Sequence, residues 1–420
     1  MRKTLVAAAT AAALAPLAAH ATTGYFSHGY GIKAKAMGGV GIALPQDSLA
    51  AATNPAGMAF VGNRADIGVD WFMPDRGARI VGNGFPGVNG SYDGSDTESF
   101  LIPEFGYNRM VNPNLALGVS VFGNGGMNTD YKTSPFTGFG GGSPAGVDLM
   151  QLFVAPTVAW KSGAHAFGAS LNLAYQRFEA NGLQPFAGFS SDPANLTNRG
   201  YDDATGWGLR VGWTGQITPA LTLGATYQTE TRMSKFDKYR GLFADRGEFN
   251  IPENYGVGIA VKATPRLTVA ADIQRINYGD IPAVGNPMDC LFTGCQLGGP
   301  DGAGFGWRNT TVYKLGLAYE WSPSLTLRGG FVTLKQPIPA SQTLFNIVAP
   351  GVVEDHLTLG ASWQLSRQSE LTVAYMHAFE NEVNGSRSIP PGFPPAGFGG
   401  GEANLRMDQN SLGIAWGWKY

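Results

Sequence analysis

From about Arg64 onward the chain alternates with a period of two. Phe167, Ala169, Leu171, Leu173 and Tyr175 are interleaved with Gly168, Ser170, Asn172 and Ala174. Trp207, Leu209, Val211 and Trp213 repeat the pattern against Gly208, Arg210 and Gly212, and Leu267, Val269, Ala271 and Ile273 against Thr268, Ala270 and Asp272. In a strand this puts apolar residues on one face and small or polar ones on the other. A strand standing between lipid and a lumen needs that division.

A recurrent turn punctuates the alternation. Asn112-Pro113-Asn114-Leu115, Thr218-Pro219-Ala220-Leu221, Thr264-Pro265-Arg266-Leu267 and Ser322-Pro323-Ser324-Leu325 read alike. Pro at the second position pre-sets φ for a tight turn. Gln368-Ser369-Glu370-Leu371 is a variant without Pro, and Lys161-Ser162-Gly163-Ala164 is a sixth turn of another kind. These short turns alternate with long loops rich in Gly, Pro and Asn. The asymmetry predicts a membrane barrel with short periplasmic turns and long outer loops.

Composition supports this and excludes the main alternatives. Charged residues are 14% of 420, against about a quarter in ordinary soluble proteins. Gly numbers 60, about twice its usual frequency. No run of about 20 apolar residues occurs beyond the N-terminus, so helical spans are not expected. The net charge of −2 gives no reason to expect nucleic acid.

The turns divide the chain into 14 strands, at about 64–75, 98–110, 115–124, 147–161, 165–178, 202–217, 220–231, 248–263, 267–277, 306–320, 325–335, 352–366, 370–380 and 404–420. The fold class is therefore all-β: a 14-stranded antiparallel transmembrane β-barrel in the outer membrane of a Gram-negative-type cell. An even count leaves both ends of the barrel on the periplasmic side. The last strand alternates through Leu412, Ile414, Trp416 and Trp418 to a terminal Tyr420, which suits closure of the barrel and its handling by the barrel-assembly machinery.

Residues 1–21 read as a signal peptide: Arg2 and Lys3, an apolar stretch from Leu5 to Leu17, then Ala19-His20-Ala21 as a cleavage site, with Thr22 as the mature start. Residues 22–63 do not alternate. Their glycine- and alanine-rich, nearly uncharged run from Gly38 to Met58 predicts a small N-terminal hatch, or plug, inside the barrel of residues 64–420. Cys290 and Cys295 are a close pair in an exported chain and are expected to form a disulfide.

Met37-Gly38-Gly39, Asp47 and Asn54-Pro55-Ala56-Gly57-Met58 together resemble the hatch of the long-chain fatty-acid outer-membrane transporters, the FadL family, which includes hydrocarbon channels. A weaker match is Val121-Phe122-Gly123-Asn124-Gly125-Gly126-Met127. The resemblance implies hatch residues Asp47, Asn54, Pro55, Ala56 and Gly57. It also implies a lateral wall opening at Gly123, Gly125 and Gly126, and an N-terminus, Tyr25 and Phe26, near the ligand. It further implies a monomer that takes up a hydrophobic small molecule by loop capture, hatch movement and sideways exit, long-chain fatty acids before small hydrocarbons or monoaromatics. Plainer readings stand beside each: a turn ending a helix, a strand end and a frayed terminus.

The outer loops carry Leu183, Phe186, Phe189, Met233, Phe236, Leu242 and Phe243, apolar side chains that either bind substrate or pack on one another as a cap. Alternation points Glu104, Arg210, Asp272, Lys314, Glu320 and Arg328 into the lumen. Arg210, Lys314 and Arg328 are possible partners for a substrate carboxylate. Because both signs occur together, a network that holds the plug is the stronger expectation. The surroundings are lipid bilayer and lipopolysaccharide.

No cofactor or metal is expected, since His28, His165, His356 and His377 show no zinc spacing. No nucleophile elbow is present, so catalysis is not expected. A lipid-acting barrel enzyme and a surface adhesin are the rivals from other classes.

Overall fold

The computed structural model describes residues 23–394 and 396–420; the signal peptide and Thr22 lie outside them. Fourteen antiparallel strands close on themselves. They are β1 (Arg64–Val81), β2 (Phe100–Asn112), β3 (Leu115–Tyr131), β4 (Ala145–Ser162), β5 (His165–Asn181), β6 (Asp202–Thr218), β7 (Leu221–Gln228), β8 (Asn254–Thr264), β9 (Leu267–Ile276), β10 (Thr310–Ser322), β11 (Leu325–Leu334), β12 (Asp355–Gln364), β13 (Ser369–Val383) and β14 (Glu402–Lys419). Each pairs with its sequence neighbours, and β1 closes on β14 from Arg64 opposite Lys419 to Val81 opposite Glu402. Two short strands, Gly90–Asp93 and Arg232–Met233, lie outside the closed ring of β1–β14.

The count and the six short turns agree with the sequence reading. Boundaries differ where strands run past the membrane. β1 continues to Val81 and β3 to Tyr131, while β7 stops at Gln228. The lipid-facing pattern fades at those ends, so alternation could not mark them.

The recurrent turn has a single geometry. In four hairpins one residue bulges just before the turn: Val111, Ile217, Ala263 and Trp321 have no cross-strand partner there. The Thr, Ser or Asn preceding Pro then accepts hydrogen bonds from the turn. Thr218 Oγ1 takes the N–H of Leu221 at 3.0 Å and Thr264 Oγ1 that of Leu267 at 3.0 Å. Asn112 Oδ1 takes the N–H of Asn114 at 2.8 Å. This explains why those residue types recur there.

Outward residues form the lipid band. Trp207 is 57% exposed and Val211 47%, whereas Arg210 between them is 2% exposed. The segment before β1 lies inside the barrel, and Ile32, Met37, Val40, Ala51 and Ala56 are buried. Above it the long loops collapse into an aromatic cap. Phe398 from the last loop packs on Phe186 (5.2 Å between centroids) and Phe189 (5.4 Å). Phe186 also meets Phe136 at 5.3 Å and Phe345 at 5.1 Å. A disulfide joins Cys290 and Cys295 at the edge of this cap.

Candidate functional site

The lumenal charges hold the plug by its backbone. Glu104 accepts from the N–H groups of Gly31 (3.1 Å) and Ile32 (2.8 Å). Asp272 does the same for Gly41 (2.8 Å) and Ile42 (3.1 Å). Asp66 takes the N–H of Ser48 at 2.9 Å and is itself bound by Arg64. Two plug lysines answer with ion pairs, Lys35 to Asp70 at 2.7 Å and Lys33 to Glu370. Carboxylates on backbone N–H groups make strong, directional bonds in a site closed to water. Glu320 departs from the expected network, since it is exposed near the short turn and has no ion pair among the described residues.

The Asn-Pro-Ala motif is a tie between three elements. Asn54 caps a short helical turn, Pro55–Ala59, and its Oδ1 accepts from the N–H of Ala56 at 3.1 Å. Its Nδ2 donates to the carbonyl oxygens of Ile42 (2.6 Å) and Trp213 (2.9 Å). The motif presses onto glycines of the wall. A Cβ on Gly212 would stand 1.9 Å from Asn54 Oδ1, and one on Gly168 2.3 Å from the Pro55 carbonyl carbon. The alternation marked both glycines as lumenal, but not as seats for the plug.

Asp47 accepts from the Leu49 N–H at 2.9 Å. Burial, with Asp66 nearby, pushes its carboxyl up to about 6. His28 is held well below its usual range by burial and then by Lys35. Its ring lies 6.3 Å from that of His356.

The wall's hydrogen bonding is interrupted beside the glycines of β3. Strands β2 and β3 pair only from Asn112 opposite Leu115 to Phe105 opposite Val121. Beyond that point β2 stays paired to β1 as far as Phe100, and β3 to β4 as far as Tyr131. Asn124 bulges between Gly123 and Gly125. The N-terminus lies in this seam: Phe26 bridges to Gly125, the Gly126 N–H donates to Tyr25 O at 2.9 Å, and the Ser27 N–H to Asn124 O at 3.1 Å. A side chain at Gly125 would meet Tyr25 O at 1.9 Å. Residues 23–27 are thus packed into the seam, and Tyr25 is 0% exposed.

Of the apolar loop residues, Leu183, Phe186, Leu242 and Phe243 line one cavity, with Phe136, Phe178, Phe305 and Phe345 completing it. Its lining carries no charged side chain. Its free volume of about 50 Å³ is a few waters' worth, so a larger guest must displace phenyl rings. Phe189, Met233 and Phe236 do not line it. Phe189 and Phe236 pack in the cap, and Met233 pairs with Gly206 beside the wall. Tyr25 and Phe26 are also outside the cavity but connect to it. Phe243 meets Phe249 at 4.9 Å, Phe249 meets Tyr25 at 6.1 Å, and Tyr25 meets Phe26 at 5.4 Å. Of the cavity's other aromatics, Phe178 comes from the outer end of β5 and the rest from separate loops, and nothing in their spacing pointed to it.

None of the three cations proposed for a carboxylate lines the cavity. Arg210 donates to Thr53 O at 2.9 Å and to Gln228. Lys314 donates to Gln274 Oε1 at 3.2 Å, and Arg328 to Ser362 Oγ at 2.6 Å. Arg210 carries no ion pair among the described residues, and Lys314 stands opposite Asp272 in the ladder between β9 and β10.

A closed 14-stranded barrel with an apolar band outside, its own N-terminus inside and an apolar cavity under its loops defines an outer-membrane channel for hydrophobic compounds. The chain belongs to the family described as outer membrane protein transport protein (OMPP1/FadL/TodX), which it matches over residues 4–389. It is a transport protein of the Gram-negative outer membrane, not an enzyme.

The fold is shared with solved relatives. The Pseudomonas putida toluene transporter TodX is 20% identical, with a TM-score of 0.67 over 95% of this chain and 100% of that one. A Pseudomonas aeruginosa FadL homologue is 17% identical, with a TM-score of 0.72 over 94% and 99%. The Ralstonia pickettii toluene transporter TbuX is 18% identical, with a TM-score of 0.64 over 94% and 99%. A comparison with curated protein sequences finds no match.

Proposed function

We propose that this channel takes up long-chain fatty acids by passive diffusion. The substrate enters the loop cavity at Phe186 and Phe243 and passes along Phe249 to Tyr25 and Phe26. The plug shifts, and the substrate leaves sideways between β2 and β3. Sideways exit suits an apolar molecule, which gains more from lipid than from a watery pore. The observation that carries the fatty-acid reading is Arg210, buried beside the plug with no ion pair among the described residues, whereas Lys314 next to it already faces Asp272. A buried cation is costly unless something balances it, and a substrate carboxylate would. A hydrocarbon has no use for it.

The second reading is uptake of small hydrocarbons or monoaromatics. It is favoured by the small, phenyl-lined, uncharged cavity and by relatives described as toluene transporters.

The test is uptake of labelled oleate and labelled toluene in cells lacking their own hydrophobic-compound channels. Wild type is compared with Arg210→Gln/Lys314→Gln. Faster oleate entry, lost in the double variant, upholds the fatty-acid reading. Toluene entry alone, indifferent to the double variant, moves the substrate to monoaromatics. Neither, with the barrel assembled, overturns both.

A further inference from the structure

The outward face changes character where β8 to β11 leave the lipid band. Tyr255, Ile273, Tyr313 and Phe331 are exposed to lipid there, and Ile273 stands opposite Tyr313, which stands opposite Thr333. One outward step further, toward the long loops, three cations gather. Arg275 lies opposite Thr311 and donates to its Oγ1 at 2.9 Å. Lys335 follows Thr333 by two residues. Arg308 enters from the loop, its N–H bound to Pro337 O at 2.9 Å.

Between them is an open groove of about 480 Å³, lined by these three with Thr310, Thr311 and Tyr313. Its far wall, Pro337-Ile338-Pro339, is stiffened by two prolines and by the Ile338 N–H bond to Gln336 Oε1 at 2.5 Å. Two acidic neighbours are already engaged, and a third, Asp355, stands exposed opposite Thr333 at the level of Tyr313. Glu354 pairs with Lys335 at 3.0 Å, and Asp280 is bound by Asn309 at 3.3 Å. Arg275 and Arg308 have no ion pair among the described residues. The positive groove is local. Across the barrel the same outward level carries Asp75 and Glu380 around Arg406, at 3.1 and 3.6 Å.

We propose that this groove docks a phosphate of lipid A, the phosphorylated glycolipid of the outer leaflet. Guanidinium groups suit phosphate because their forked N–H donors match its oxygens. The cations stand at the headgroup level, immediately beyond the aromatic edge of the lipid band, where such edges flank the apolar zone of a barrel. A phosphate arriving there on a lipid brings acyl chains that lie over Tyr313, Leu315 and Phe331. A free phosphate would gain only the polar half of the site. The inference rests on the outer-membrane location and not on the identity of the transported compound.

The test is native mass spectrometry of the full chain, purified in detergent and stripped of lipid. It is titrated separately with bisphosphorylated lipid A, with dephosphorylated lipid A and with inorganic phosphate. Wild type and the distant Glu380→Gln variant bind the bisphosphorylated lipid. Arg275→Gln/Arg308→Gln weakens it about a hundredfold, roughly tenfold per lost charged contact. Arg275→Lys/Arg308→Lys recovers part of the loss. Heat-modifiable mobility reports that each barrel is folded. If the double variant fails to fold, Arg308→Gln, in a loop outside the wall, carries the comparison with a tenfold loss. The proposal is overturned if the folded variant binds as tightly as wild type or if dephosphorylated lipid A binds equally well. It is also overturned if inorganic phosphate binds as tightly as the lipid.

Discussion

Replacing Asn54 by Ala separates the plug from the barrel energetically. The side chain is fully buried and holds the carbonyls of Ile42 and Trp213 and the N–H of Ala56. Alanine leaves all three without that partner. Each buried polar group so abandoned costs about 1 kcal/mol or more, and water entering the space left by the amide recovers part of it. A net loss of about 2–3 kcal/mol follows, confined to the seating of the plug, because the wall keeps its own ladder.

Hydrogen exchange read by mass spectrometry resolves this. Peptides spanning 38–60 should exchange roughly 30- to 140-fold faster than in wild type, while those from β6 stay unchanged. Asn54→Asp should be worse than Asn54→Ala. It keeps an acceptor for Ala56 but sets a carboxylate against two carbonyl oxygens. Wild-type exchange of the plug in Asn54→Ala, or Asp milder than Ala, would refute the account of the motif as a three-way tie.

Gly125→Val places its Cβ against Tyr25 O and should drive residues 23–27 out of the seam, with loss of amide protection in that peptide; unchanged protection would mean the N-terminus is held by other contacts. Asp47 has a folded-state value near 6 against an ordinary 3.8, so the native plug binds the extra proton more readily than the unfolded chain does. Its stabilising contribution is therefore present at low pH and fades as pH rises from about 4 through about 6. Asp47→Asn should seat the plug more firmly at pH 7 and abolish that dependence, read by exchange of the 44–50 peptide at pH 5 and 7.5 after correction for intrinsic rates; a dependence that survives the substitution contradicts this. Cys290→Ser/Cys295→Ser removes a short closed loop and should cost about 2 kcal/mol. That cost should appear as protease sensitivity near 288–298 without change in the barrel's heat-modifiable mobility, and a shifted mobility would show the loop bearing on the wall.

The sequence by itself determined the wall. Phe167 to Tyr175, and Trp207 to Trp213, alternate because lipid selects one face of every strand and a lumen the other, and this local pressure is written residue by residue. The Thr-Pro and Ser-Pro turns were equally legible, since each satisfies its own N–H groups within four residues. The charges of the lumen could be located, but not paired. Only the folded barrel decided that Glu104 meets Gly31, 73 positions away, and that Asp272 meets Gly41, 231 away. The cavity was decided in the same way. Leu183, Phe186, Leu242 and Phe243 were visible as apolar loop residues, but Phe136, Phe305 and Phe345 join them from other loops. Phe189 and Phe236, identical in kind, turn into the cap instead. Alternation is a property of neighbours along the chain. A cavity, a seam and a plug seat are set by which distant backbones approach, and that depends on the closed register of all 14 strands at once.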